Sequence, residues 1–391
     1  MNSGGHLGWL RERDEEQAEV KPVELFFDLV YVLAVTQLTH HLLDHLSLRG
    51  AGETLLLLLA VWGAWIYTSW VTNYFDPGTR PVRLMLIGVM LASLVMSASI
   101  PEAFGDQGLV FAAALVAINV GRTVFALTAL DRSHHLRGIF QRVLVWWSAT
   151  GLLWLAGGLA HEDLRITIWV VAVVVEYGGV WLGFPTPGLG RSRTTDYTIA
   201  GEHMAERCQL FVILALGESI LVTGINFGEL PRTAQIVAAF VVAFVGSAAL
   251  WWIYFDRGAE AARRVISAAD DPGRIGVSAY TYFHIPMVAG IIVVAAADEL
   301  TIAHPGDGAT SATTALILGG PALYLVGNAL FKWTLWDRLP RSRLVAVCAL
   351  VALVPVAVVS SALVLLVAAT LVLVAVALWD ARAERAKSGS V

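Results

Sequence analysis

Apolar runs of about twenty residues follow one another along the whole chain, separated by short polar segments. A helix needs about 20 apolar residues to cross a hydrocarbon core of about 30 Å. The pattern therefore predicts twelve spans, at about 24 to 45, 54 to 75, 83 to 100, 108 to 130, 139 to 158, 165 to 184, 204 to 224, 233 to 255, 278 to 297, 314 to 336, 343 to 359 and 361 to 379. The last two are one uncharged run, from 344 to 379, which as a single helix would be roughly 54 Å long. A hairpin near Ser360-Ser361 divides it, with Pro355 kinking the first arm. This is an all-α polytopic membrane protein of about 12 transmembrane helices. A cytoplasmic segment (1–22) precedes one transmembrane domain (23–380), and a cytoplasmic tail (381–391) follows it.

Basic residues orient these spans. With both termini cytoplasmic, 21 of the 26 lysines and arginines fall in inner segments, and only Arg49, Arg165 and Arg232 fall in outer loops. Such asymmetry is the positive-inside pattern. The acidic mixture Arg11-Glu-Arg-Asp-Glu-Glu16 ahead of the first span is unlike a cleavable signal, so the first span itself is expected to direct insertion. Of the 391 residues 57% are apolar and 15% charged, with mean hydropathy +0.69. The net charge of −5, without a long basic run, gives no reason to expect nucleic acid. Cys208 and Cys348 both lie in apolar runs, which supports neither a disulfide framework nor a cysteine metal site.

Sliding the chain against itself adds a repeat. Tyr74-Phe-Asp-Pro-Gly78 closes the second span and Tyr254-Phe-Asp-Arg-Gly258 the eighth. Val120-Gly-Arg…Asp-Arg132 closes the fourth and Val326-Gly-Asn…Asp-Arg338 the tenth. Pairing helix n with helix n+6 predicts two parallel six-helix halves, about 23–184 and 204–380.

The seventh span carries the densest chemistry. On a helix His203, Glu206, Arg207, Leu210, Gly217, Glu218 and Leu221 share one stripe, so this helix is expected to bury a charged face against protein or water. In the first span Glu24 and Asp28 lie one turn apart. Counted from the span centres at 1.5 Å per residue, Asp28 is roughly 9 Å and Arg207 roughly 10 Å towards the cytoplasm, depths that predict a pair. Arg122, with Asn119 three residues before it, Glu176 near the midplane and Glu218 complete the intramembrane set. Acids outnumber bases in this count, so Glu176 or Glu218 is expected to bind a proton or a cation. The same charges can instead fix helix register alone. His40, His41 and His45 cluster at the outer end of the first span without a further ligand, and no metal is predicted. Gly217-Glu-Ser219 lacks the second glycine of a nucleophile elbow, and no nucleotide motif is present, so neither an enzyme nor a catalytic residue nor a cofactor is expected.

Glu24-Leu-Phe-Phe-Asp-Leu-Val30, His203-Met-Ala-Glu-Arg207 and Leu216-Gly-Glu-Ser-Ile220 resemble the motifs of the bacterial low temperature requirement A family, and the likeness extends to Trp252-Ile-Tyr-Phe-Asp256 and the apolar C-terminal hairpin. The resemblance implies a multi-pass protein of the bacterial cytoplasmic membrane, named from a cold-growth phenotype. Mechanism is left to the residues. Excess intramembrane carboxylates and parallel halves point to a secondary transporter or permease-like protein for a small substrate or ion. The alternative is a membrane sensor or envelope assembly scaffold that transports nothing.

Overall fold

The computed structural model describes residues 9–11, 19–256 and 258–388. Glu12, Arg13, Asp14, Glu15, Glu16, Arg257 and the side chains of Arg385 and Lys387 lie outside the described residues. Helices dominate: α1 (Pro22–Asp44), α2 (Leu48–Tyr74), α3 (Arg80–Ala98), α4 (Gly108–Ala129), α5 (Leu136–Leu159), α6 (Glu162–Leu182), α7 (Gly201–Glu229), α8 (Ala234–Phe255), α9 (Gly258–Ser267), α10 (Pro272–Ile275), α11 (His284–Ala303), α12 (Ser311–Trp336), α13 (Arg341–Ala352), α14 (Val354–Ala357) and α15 (Ala362–Ser388). A π-helical stretch, Gly276–Tyr282, leads into α11.

Among the described residues eleven helices are long and apolar enough to cross a membrane, one fewer than the sequence pattern predicts. The difference is the eleventh span. It forms two short pieces, α13 and α14, that break at Leu353 two residues before Pro355. Pro355 supplies no N–H for the Val351 carbonyl four residues before it, so the regular hydrogen-bond ladder is interrupted there. The chain then turns through Val358–Ser361 into α15, at the position the sequence predicts for the hairpin.

The chain forms two compact units. Unit 1 holds the residues up to His41, Gly52–Arg207 and Ile266–Val277; unit 2 holds Leu42–Ala51, Cys208–Val265 and the chain from Ser278 on. In unit 1, α3 packs on α4, α4 on α5 and α5 on α6. Tyr31 and Ser93 hydrogen-bond at 2.9 Å between α1 and α3, and Tyr177 donates to the Leu59 carbonyl at 2.8 Å between α6 and α2. Arg165, expected in an outer loop, is buried at the start of α6 and donates to the carbonyls of Ala103, Gly105, Gly157 and Ala160. The last two lie at the C-terminal end of α5, Ala160 being its cap, where helix carbonyls run short of intrahelical donors. Gly183 ends α6 in the left-handed region, φ 75°, where a Cβ would also strike the Ser192 carbonyl; only glycine fits.

In unit 2, α11 packs on α12, α12 on α13, α13 on α15, and α15 on α8. Close approach of α11 and α12 depends on missing side chains. A Cβ on Gly290 would lie 2.6 Å from the Tyr324 nitrogen, and one on Gly320 2.9 Å from the Val294 nitrogen. Small residues at such crossings let helix backbones meet in a bilayer.

Candidate functional site

Three helices of unit 1 each present polar side chains at four-residue spacing, and the three rows meet. From α1 come Glu24 and Asp28, from α2 Trp65, Ser69 and Asn73, and from α7 His203 and Arg207. Residues four apart share a helical face. Glu24, Asp28, His203 and Arg207 have no exposed surface at all. Arg207 grips Asp28 with both terminal nitrogens, at 2.6 and 2.7 Å, and Trp65 Nε1 donates to Asp28 Oδ1 at 2.7 Å. Arg207 also donates to the Glu24 carbonyl at 3.0 Å, and its guanidinium lies 5.6 Å from the Trp65 ring centroid and 5.7 Å from that of Phe27. This is the planar two-pronged geometry that suits arginine and not lysine.

Around Glu24 the bond pattern fixes a tautomer. The Asn73 amide takes the Ala200 N–H on Oδ1 (2.8 Å) and donates from Nδ2 to the Ala200 carbonyl (2.8 Å), so the same Nδ2 faces His203 Nδ1 at 3.1 Å as a donor. Nδ1 therefore accepts, and Nε2 carries the hydrogen donated to Glu24 Oε1 at 2.9 Å; Arg11 Nη2, 3.1 Å from the same Nε2, is then a close approach of two donors and not a hydrogen bond. Glu24 Oε2 takes the Lys21 N–H at 3.0 Å and stands 3.6 Å from Arg11. Arg11 reaches this point because Trp9 and Arg11 pair by backbone with Asp76 and Tyr74, while its guanidinium donates twice to the Thr72 carbonyl. Burial lowers the Arg11 pKa below its ordinary value, and Glu24 opposes that shift. Two carboxylates thus meet two guanidinium groups, with a neutral histidine between.

A second polar set lies in the same unit. Arg122 donates to the Ala64 carbonyl (3.0 Å), Thr68 Oγ1 (2.8 Å) and Asn119 Oδ1 (2.8 Å), with its guanidinium 6.0 Å from the Tyr67 ring centroid. Glu176 accepts from Trp154 Nε1 at 2.9 Å. Both are buried, and among the described residues neither has an ion-pair partner within 4.0 Å.

The expected acid excess near the membrane interior changes once the buried arginines are counted. Arg11, assigned to the polar N-terminal segment, is buried beside Glu24, and Arg343, assigned to an inner loop, is buried in unit 2. Arg343 donates to Asn328 Oδ1 at 3.0 Å, to Ser342 Oγ at 2.9 Å and to Asp380, which also lies 3.7 Å from Lys332. The charged stripe of α7 is also narrower than its sequence suggests. Its buried positions include His203, Arg207, Phe211, Ala215, Glu218 and Val222, whereas Glu206 is half-buried and Leu221 is 60% exposed. Glu218 lies eleven residues, or roughly 16 Å, along α7 from Arg207, outside the Asp28 constellation. A Cβ on Gly217 would meet nothing within 4 Å among the described residues, so this glycine is not required there by a close-packed neighbour. His41 sits 3.8 Å from Glu53, while His40 and His45 are exposed.

Above the Glu24 end of the site a cleft of about 190 Å³ is bordered by Arg11, Asn73, His134, His135, Thr198 and Ala200. The imidazoles of His134 and His135 stack at 4.6 Å, and partial burial together with this neighbour lowers the His134 pKa from its ordinary value. Arg11, Trp65, Ser69, Asn73 and Thr68 escape sequence reasoning. The four-residue spacing of Trp65, Ser69 and Asn73 is a signal for those three; Arg11 and Thr68 carry none.

The family model described as bacterial low temperature requirement A protein matches residues 19–378. An uncharacterized protein of Rhizobium meliloti (strain 1021), RA0937, is 37% identical over 348 residues, which cover 89% of this chain and 85% of that one. No solved structure matches the chain.

Proposed function

The chain belongs to the bacterial low temperature requirement A family of integral membrane proteins, and from this premise we propose that it is a secondary transporter of the cytoplasmic membrane, coupled to a proton or small cation. The observation that carries the reading is Glu176. A buried carboxyl in a span is costly when charged, yet this one receives a neutral indole N–H and has no cationic group within 4.0 Å among the described residues. Arg122 in the same unit is its mirror case, a buried cation held by amide, hydroxyl and carbonyl oxygens. The two form no ion pair within 4.0 Å among the described residues, and the Glu176 carboxyl, met by a neutral donor, is the group left to take up a mobile proton or cation. The Asp28–Arg207 and Glu24–Arg11 set is by contrast mutually satisfied and serves to hold α1, α2 and α7 together.

The six-plus-six reading gains support from the internal order of each unit. Spans three to six pack in succession in unit 1, and spans nine to twelve do so in unit 2 as α11, α12, α13 and α15. A side chain of span four donates to a carbonyl of span two, Arg122 to Ala64, and one of span ten to span eight, Tyr324 to Leu250.

The full chain reconstituted in liposomes loaded with a pH dye tests the proposal. Under an imposed membrane potential, with sodium, potassium or choline as the cation, wild type is expected to move protons or one of the cations above the empty-liposome rate, and equally reconstituted E176Q is expected to move none. No movement by wild type under any condition favours the sensor or scaffold reading, which the satisfied Asp28–Arg207 set also fits.

A further inference from the structure

Unit 2 contains a carboxyl that the transport reading does not use. Asp298, on α11, is 1% exposed, and among the described residues no hydrogen bond or ion pair reaches it; its Oδ2 is wholly enclosed without a partner. The next residue, Glu299, also holds one oxygen, Oε2, buried and unpartnered.

Its surroundings can be read from the helix register. Met287 approaches Gly327, Gly290 approaches Tyr324 and Val294 approaches Gly320, so the antiparallel α11 and α12 bring Asp298 to the level of Leu316 and Ile317. Four residues after Ile317 stands Pro321, inside α12. Proline has no N–H, so the Ile317 carbonyl loses the donor a regular helix would give it. One turn beyond Asp298, Ile302 packs with Ile236, Ala239 and Ala243 of α8 in an apolar cluster that Phe227 and Leu363 join. A carboxylate and a freed backbone carbonyl therefore share one level of a tightly packed helix pair, with an apolar seal one turn away.

The other ionisable groups of the packed elements are elsewhere or partnered. On α8 the one such group is Tyr254, bonded to His284, and on α12 they are Tyr324, bonded to the Leu250 carbonyl, and Lys332, beside Asp380 of α15. His284 opens α11 fourteen residues before Asp298, roughly 21 Å away along the helix. Arg382 lies beyond Asp380 on α15, and the unit 2 part of α7 carries Cys208, Glu218 and, at its end, Glu229, whose side chain lies outside the described residues. Arg232, His304 and Asp307 are exposed at the loop end.

We propose that Asp298 is the anionic ligand of a monovalent-cation site in unit 2, taking a proton or a sodium ion, with the Ile317 carbonyl as the neutral oxygen at its side. Hard cations choose oxygen donors, and interrupted helices in membrane proteins expose such carbonyls to them. The site is read from unit 2 alone and does not rest on Glu176 or on transport.

The test is binding, made on the detergent-purified full chain. Dicyclohexylcarbodiimide, an apolar reagent for protonated carboxyls, is applied at pH 6 and pH 9 in choline chloride, and at pH 6 with 100 mM sodium chloride in its place, and modified peptides are quantified by mass spectrometry. Modification of Asp298 is expected, falling at least about three-fold either on raising the pH, which identifies a proton site, or on adding sodium, which identifies a sodium site. Absence of Asp298 modification, or modification indifferent to both changes, overturns the proposal. The thermal midpoint provides a second measurement. Its dependence on pH or sodium is expected to be reduced in D298N, which keeps the shape and removes the charge; the same dependence in D298N and wild type also overturns it.

Discussion

Removing Arg207 should cost more than removing Asp28 from their pair, because the two residues are supported differently. Arg207→Gln leaves the fully buried Asp28 carboxylate with one neutral donor, the Trp65 indole at 2.7 Å. Stranding one charge of a buried pair costs about 3 to 5 kcal/mol, and R207Q is expected in that range. Asp28→Asn strands the guanidinium less completely, since the Glu24 carbonyl remains at 3.0 Å and Glu24 Oε1 lies 3.7 Å from Arg207 Nε. We expect about 2 to 3 kcal/mol for D28N. The double variant removes both charges together, so its loss should fall short of the sum by about 2 kcal/mol. Exchanging the two residues is not a rescue, because an aspartate at 207 would face Glu24 and an arginine at 28 would meet the Trp65 donor. The assay is reversible unfolding in mixed micelles by added dodecyl sulfate, followed by tryptophan fluorescence. Additivity within about 0.5 kcal/mol would refute direct coupling, and an equal cost for the two single variants would refute the supporting role given to Glu24.

Two further expectations concern orientation and protonation. Asn73→Asp places an acceptor where Asn73 Nδ2 donates to His203 Nδ1; we expect a loss of about 1 to 3 kcal/mol and, by nitrogen NMR, a hydrogen on Nδ1 that wild type lacks, whereas Nδ1–H in wild type would contradict the assigned tautomer. Reporter fusions after Gly105 and after Arg193 should read outside and inside respectively, as the basic-residue asymmetry requires, and a signal from the same side at both would overturn that orientation.

What the sequence reveals and what it conceals follow one physical rule. Charges inside apolar runs stand out, so Asp28, Arg122, Glu176 and Arg207 are legible in the chain alone, and matching depths point to the partner that Arg207 has. Trp65, Ser69, Thr68 and Asn73 supply neutral donors and acceptors, and residues of these kinds are ordinary in spans, so their row on α2 does not stand out. Arg11 and Arg343 are hidden for the opposite reason. They stand in polar boundary segments where a solvated arginine is the usual case, and only tertiary contact with Glu24 or Asp380 brings them into the interior. On α7 a single stripe drawn at about 100° per residue over nineteen residues includes Leu221, which the fold exposes, because a real helix face drifts with its changing neighbours. Asp298 is concealed although it is charged, since the apolar pattern ends the ninth span one residue before it.

The wide separation in sequence of Asp28 and Arg207 has a consequence for biosynthesis. The two residues that close the ion pair are 179 positions apart. At about 5 to 20 residues per second, the ribosome delivers the arginine roughly 10 to 35 seconds after the aspartate. For that interval the first helix must wait, its acids without their basic partner on α7, in the insertion machinery or at the bilayer edge. A nascent chain halted before residue 207 therefore carries a first segment poorly suited to lipid, and membrane quality control could sense an incomplete product through that one unanswered helix.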